Sequence, residues 1–214
     1  MKIFIDTAQT SEIHEAFQTG LVDGVTTNPS LIMKSGRDPE DVYQELIDIG
    51  IRDISMEVVG SDTEMYNEGL RLAEKFGEQA TIKLPCTRDG LQVCRHLTAK
   101  NIRTNVTLIF SASQAVLAAK AGASYISPFV GRLTDNGFDG LELIRTIYEI
   151  YKKDGCPTEI LAASVRSPEV VALCYREGAD ICTIPPGVFN KMYESVLTRE
   201  GLAIFQKDWD SIQK

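Results

Sequence analysis

Histidine is nearly missing from this chain: His14 and His96 are the only two in 214 residues, and both fall in segments with helical patterning. A metal site built on imidazoles therefore has next to nothing to work with. The five cysteines, at 86, 94, 156, 174 and 182, are odd in number and show no CxxC or other paired spacing. Neither a disulfide framework nor a zinc site fits that pattern. No run of lysine and arginine occurs, and the formal net charge is −8. Duplex nucleic acid and anionic membranes are normally met by a basic face, so neither is an expected partner. No apolar stretch approaches the ~18 residues of a membrane helix, and MKIFIDTAQT is too short and too acidic for a signal peptide. These absences predict a reduced, soluble, cytoplasmic protein without a metal. A small anionic substrate stays open wherever a few cations gather.

What is present is repetition. A hydrophobic content of 43% with 24% charged residues is ordinary for a globular domain. No linker or charge block divides the sequence, so residues 1–214 read as one domain. A short apolar run followed by a helical pattern recurs about every 25 residues. The runs are KIFID (2–6), DGVTT (23–27), DISMEV (53–58), ATIKLP (80–85), RTNVTLIF (103–110), SYISPFV (124–130), EILAASV (159–165) and DICTIP (180–185). The segments between them, such as DPEDVYQELIDIG and DGLELIRTIYEIYKKDG, space apolar residues three and four apart. Several end on glycine, as in KFG, KAG and REG, a helix-stop signal. Alternating strand–helix units imply parallel strands with right-handed crossovers. A doubly wound open sheet would alternate too, but eight even units in so short a chain favour a closed (β/α)8 barrel. No GxGxxG follows the first strand, which removes the usual argument for a dinucleotide site.

Buried parallel strands should read as near-continuous Val, Ile and Leu. Here they begin that way and end on polar residues: Asp6; Thr26, Thr27 and Asn28; Glu57; Lys83; Asn105 and Thr107; Ser127 with Arg132 beyond; Ser164 and Arg166. In a barrel, seven such ends of eight would gather at the C-terminal mouth, where this architecture carries its sites. Lys83 is the most informative, because alternation sets it opposite Ile82 and Leu84 and so points it inward. A desolvated lysine is available as a nucleophile. The structural alternative is a buried ion pair with Glu57 or Asp6. Those two carboxylates could divide proton-transfer work between them, or simply neutralise Lys83, Arg132 and Arg166. The two arginines sit in late strand–helix loops, where barrels often hold a phosphate. Cys86 reads as a small residue after a strand, the remaining cysteines as packing or loop, and both histidines as helix surface. Leu202, Phe205, Trp209 and Ile212 form a terminal helical stripe that would either cap the chain's own barrel or meet a neighbouring subunit.

GVTTNPS (24–30), TIKLP (81–85), TNVTLIF (104–110), SPFVGR (127–132) and ASVRSP (163–168) together resemble the small-subunit transaldolases. The resemblance spans the chain, and TTNPS and SPFVGR are its specific parts. It implies a (β/α)8 barrel with a C-terminal helix, no cofactor, and transfer of a dihydroxyacetone unit between sugar phosphates through a lysine Schiff base. By matching motif, Lys83 would form the imine and Asp6 would handle the proton of the substrate hydroxyl. Glu57, through a water held with Thr107, would serve imine formation and opening. Asn28 and Asn105 would hold the three-carbon unit with Thr26 and Ser164 nearby, Ser127 and Phe129 would line the pocket, and Arg132 and Arg166 would grip the phosphate. The sister fructose-6-phosphate aldolases, which release free dihydroxyacetone, typically carry Gln and Tyr where this chain has Glu57 and Phe129. A binding protein that keeps the fold without the chemistry is a further alternative. The resemblance also implies a homo-oligomer, a pentamer or decamer.

Overall fold

The computed structural model describes residues 1–213. Eight parallel strands close on themselves in sequence order. They are β1 (Lys2–Asp6), β2 (Gly24–Thr26), β3 (Ile54–Glu57), β4 (Ala80–Pro85), β5 (Thr104–Ile109), β6 (Tyr125–Pro128), β7 (Glu159–Ala162) and β8 (Ile181–Ile184). β8 pairs with β1 and completes the ring. Every strand lies inside one of the eight apolar runs of the sequence.

Helices α1 (Thr10–Phe17), α3 (Pro39–Ile49), α4 (Asp62–Phe76), α5 (Arg88–Thr98), α6 (Ala112–Lys120), α8 (Gly140–Asp154) and α9 (Pro168–Arg176) follow the expected amphipathic segments. The glycines at the expected stops, Gly77, Gly122 and Gly178, all take positive φ (58°, 86° and 106°), where any side chain would be strained. Two short helices have no signature in the sequence pattern. α2 (Pro29–Ser35) buries no residue and starts because Asn28 accepts the Leu31 N–H at 3.0 Å. α7 (Val130–Asp135) begins where the sixth apolar run predicts a continuing strand; β6 stops at Pro128. The segment 187–196 has the pattern of one helix. It divides into α10 (Pro186–Lys191) and the start of α11 (Val196–Ile212), which Ser195 caps by accepting the Thr198 N–H.

Alternation along the strands makes two cores. Outward residues such as Ile5, Val25, Ile82, Leu84 and Val106 are fully buried between sheet and helices. Inward residues Phe4, Tyr125, Leu161 and Ile181 fill the lower barrel. Gly24 makes room for them: a Cβ there would lie 2.7 Å from the Phe4 ring. Asp53 ties the lower rim together, accepting from Arg103 at 2.5 Å, Tyr125 at 2.6 Å and Thr81 at 2.8 Å. The stripe on α11 stays out of both cores, with Leu202, Phe205, Trp209 and Ile212 57–76% exposed, so it does not cap this chain's own barrel. No helix among the described residues is long and apolar enough to cross a membrane.

Candidate active site

Strand register pairs several of the polar ends directly. Asp6 pairs with Thr26, Glu57 with Lys83, and Lys83 with Asn105. Lys83 is inside the barrel mouth and only 5% exposed, while its neighbours Ile82 and Leu84 face the helices. Its ammonium donates to the Thr27 carbonyl at 2.9 Å and stands 3.0 Å from a Glu57 carboxylate oxygen. An amine so placed keeps a fixed direction and has a carboxylate within proton-transfer reach.

Asp6 accepts from the Thr26 hydroxyl at 2.7 Å. Burial pushes its carboxyl above the usual range, opposed by the Lys83 charge and the Thr26 hydrogen bond. On the other side, Ser127 donates to the Asn105 carbonyl oxygen at 2.7 Å and the Asn105 amide donates to Ser55 at 3.1 Å. The Asn105 side chain is thereby held in one orientation. The buried Thr107 hydroxyl oxygen finds no protein partner. Directly after it, Leu108 adopts φ +60° where the β5–β6 register shifts, and Ser164, just past β7, has φ +59°. Strained backbone of this kind collects where side chains are held for use.

A cavity of about 140 Å³ opens over Lys83. Of the twelve residues expected in the site, Asp6, Thr26, Asn28, Lys83, Ser127, Phe129, Arg132 and Ser164 line it. Glu57 and Asn105 adjoin it through their bonds to Lys83 and Ser127. Thr107 follows Asn105 by one turn of alternation on β5. Arg166 stands outside: it is exposed and paired with Asp135 at 2.6 Å. Arg132 is steadied differently, its guanidinium lying 4.8 Å from the Phe129 ring centre and 6.0 Å from that of Phe110. Two lining residues, Ala163 and Thr183, lie beyond the set expected from the sequence. Thr183 has a signal there, since it interrupts the apolar run ICTI in the phase that Lys83 occupies in TIKLP.

Burial pushes the Cys86 thiol up, away from a reactive thiolate. No group of three His, Cys, Asp or Glu side chains among the described residues is arranged to hold a metal. A larger hollow of about 880 Å³ lies at the other end of the barrel around Arg52, Glu78 and Arg103.

The family model for transaldolase/fructose-6-phosphate aldolase matches residues 3–214. The chain belongs to this family. A protein called probable transaldolase from Dinoroseobacter shibae is 52% identical over 211 residues, covering 98% of this chain and 97% of the relative. Probable transaldolase from Nitrosopumilus maritimus is 47% identical with 100% and 96% covered. Probable transaldolase 1 from Listeria monocytogenes is 49% identical with both chains fully covered. Among solved structures, thiamine phosphate pyrophosphorylase from Pyrococcus furiosus superposes with a TM-score of 0.61 over 88% of this chain and 87% of that one. At 16% identity that likeness concerns the barrel alone. Family membership makes the chain an enzyme of the transaldolase type.

Proposed function

We propose that this enzyme moves a dihydroxyacetone unit from sedoheptulose 7-phosphate or fructose 6-phosphate to an aldose phosphate, erythrose 4-phosphate or glyceraldehyde 3-phosphate. The observation that carries the reading is the buried Lys83 ammonium, 3.0 Å from Glu57 and facing a cavity that Asp6 also lines. A structural ion pair would have no use for that cavity.

In this reading Lys83 gives up a proton toward Glu57 and its nitrogen attacks the C2 carbonyl of the donor. The carbinolamine loses water as Glu57, through a water held with the unpartnered Thr107 hydroxyl, returns the proton; an imine remains. Asp6 then takes the proton of the C4 hydroxyl, the C3–C4 bond breaks, and the aldose phosphate departs. Its bonding electrons stay behind as an enamine on Lys83. The acceptor aldehyde is attacked by that enamine carbon and receives its proton from Asp6, and hydrolysis of the new imine frees the product. Asn28, Asn105, Ser127, Thr26 and Ser164 orient the three-carbon unit. Arg132 holds the phosphate, and Arg166 joins it by exchanging Asp135 for the ligand. The same reading assigns the enzyme to the pentose phosphate pathway in the cytoplasm. It also assigns a homo-oligomer, in which the apolar stripe of α11 meets a neighbouring copy.

Glu57 and Phe129 favour transfer over the aldolase reaction. Phe129 puts no hydroxyl beside the enamine, so protonation and loss of free dihydroxyacetone are disfavoured. Product identification tests the assignment. With fructose 6-phosphate alone, little free dihydroxyacetone should form; adding erythrose 4-phosphate should yield sedoheptulose 7-phosphate rapidly. Release of dihydroxyacetone as fast as donor is consumed, with or without acceptor, would replace transaldolase by aldolase.

A further inference from the structure

β8 is the one strand whose end carried no expected site residue, yet Thr183 on it lines the cavity. Thr183 and Thr26 are 3% and 1% exposed, and their hydroxyl oxygens are 2.6 Å apart. Thr26 is also 2.7 Å from Asp6. A carboxylate can only accept, and a hydroxyl has one proton to give. While Asp6 is ionised, the Thr26 proton goes to Asp6, so the proton in the contact between the threonines belongs to Thr183. The three groups form a directed chain, Thr183 to Thr26 to Asp6. In such a chain each donation polarises the next hydroxyl and strengthens the bond it makes.

We propose that Thr183 is a positioning residue for Asp6. By donating to Thr26 it holds that hydroxyl aimed at the carboxylate, stabilises the ionised form and keeps the free Asp6 oxygen turned to the substrate. The inference rests on the assignment of Asp6 as the base of carbon–carbon cleavage. The charged groups around Asp6 are Lys83 from β4 with its partner Glu57 from β3, and Arg132 from α7, which lines the same cavity. β2 and β8 present only hydroxyls to it, those of Thr26 and Thr183.

Thr183→Val removes the hydroxyl and keeps the shape; Thr183→Ser keeps the hydroxyl. The measurement is single-turnover aldehyde release at saturating fructose 6-phosphate across pH, where the amine is already committed to the imine. Thr183→Val should slow cleavage roughly threefold to tenfold with little change in KM, the worth of one hydrogen bond. The acid limb should move to higher pH, because the Asp6 carboxylate loses support, and Thr183→Ser should restore both. Should Thr183→Val fail to fold, Thr183→Ala carries the same expectation. Wild-type rates and an unmoved acid limb in the folded hydroxyl-free variant would overturn the proposal, as would a Ser variant no better than Val. Imine trapping on Lys83 from dihydroxyacetone does not involve Asp6 and serves as the control. Its absence in the wild type would instead undo the Schiff-base assignment.

Discussion

At the residue scale, two side chains assigned to one task are held in different ways, and that difference has consequences. Arg132 lies against Phe129 and Phe110 and lines the cavity, whereas Arg166 is exposed and bound to Asp135. Arg132→Ala should raise KM for fructose 6-phosphate by roughly tenfold to 150-fold, the worth of a charge-assisted contact. Arg166→Ala should cost less, because its gain on binding is offset by the Asp135 pair it gives up. Dihydroxyacetone, lacking phosphate, should bind both variants nearly as it binds the wild type. Equal losses on the two substrates would mean the arginines support the fold. In the proposed role of Asp6 as base, the pH dependence has a definite sign. Burial raises its carboxyl above the usual range, and a base must be ionised. Cleavage from the preformed imine should therefore fall as pH drops through a value above the ordinary ~3.9. For stability, a raised carboxyl penalises folding as pH climbs from ~3.9 through the folded-state value. Asp6→Asn should lose cleavage by roughly 10²–10⁴-fold. A cleavage limb at or below the ordinary aspartate range would contradict the role of burial.

At the element scale, strands and long helices are legible in the sequence because each has a strict physical period. The eight runs hold eight strands, and polar residues at their ends mark the mouth of the barrel. The differences fall where no period operates. α2 buries nothing and depends on the Asn28 cap, and Phe129 leaves β6 for a single bridge to Ala163 before α7 starts. That switch is held by backbone contacts no sequence pattern shows: Val130 N–H to the Ala163 carbonyl at 3.0 Å and Ala163 N–H to the Pro128 carbonyl at 2.9 Å. Gly131 permits the close approach, since a Cβ there would lie 1.9 Å from the Ser164 carbonyl oxygen. Gly131→Ala must push the two loops apart. It should cost about 1–3 kcal/mol, read as a lower urea midpoint. It should also raise KM for phosphorylated donors, because Arg132 follows directly on the displaced turn. Unchanged stability and KM would show that the two loops are not interlocked. The partners of Lys83 are only half legible. Alternation points it inward, but the choice between Glu57 and Asp6 depends on register, and register pairs Glu57 with Lys83.

At the scale of the whole molecule, the barrel fills its lower interior with apolar and aromatic side chains and lines its upper interior with polar ones. Phe4, Tyr125, Leu161 and Ile181 are apolar or aromatic below, while the layer above carries Asp6, Thr26, Lys83, Asn105, Ser127 and Thr183. The motifs make the family legible from sequence, whereas Thr183 leaves only a faint mark, a break in ICTI that is ordinary for a threonine in a strand until its neighbours are known. α11 leaves a row of large apolar side chains uncovered, which supports the proposed homo-oligomer. Sedimentation should give a mass that is a multiple of the 23.6 kDa chain. Phe205→Glu combined with Trp209→Lys should shift it toward the monomer; a monomeric wild type would refute the assembly. The central claim is that Lys83 carries the substrate. It is tested most directly by incubating the enzyme with fructose 6-phosphate, reducing with borohydride and mapping the modified peptide by mass. One reduced three-carbon unit per chain on Lys83 is predicted, with labelling and turnover both abolished in folded Lys83→Ala, and not rescued by Lys83→Arg, whose guanidinium stays protonated. A label on any other lysine, no label at all, or full activity in Lys83→Ala would contradict it.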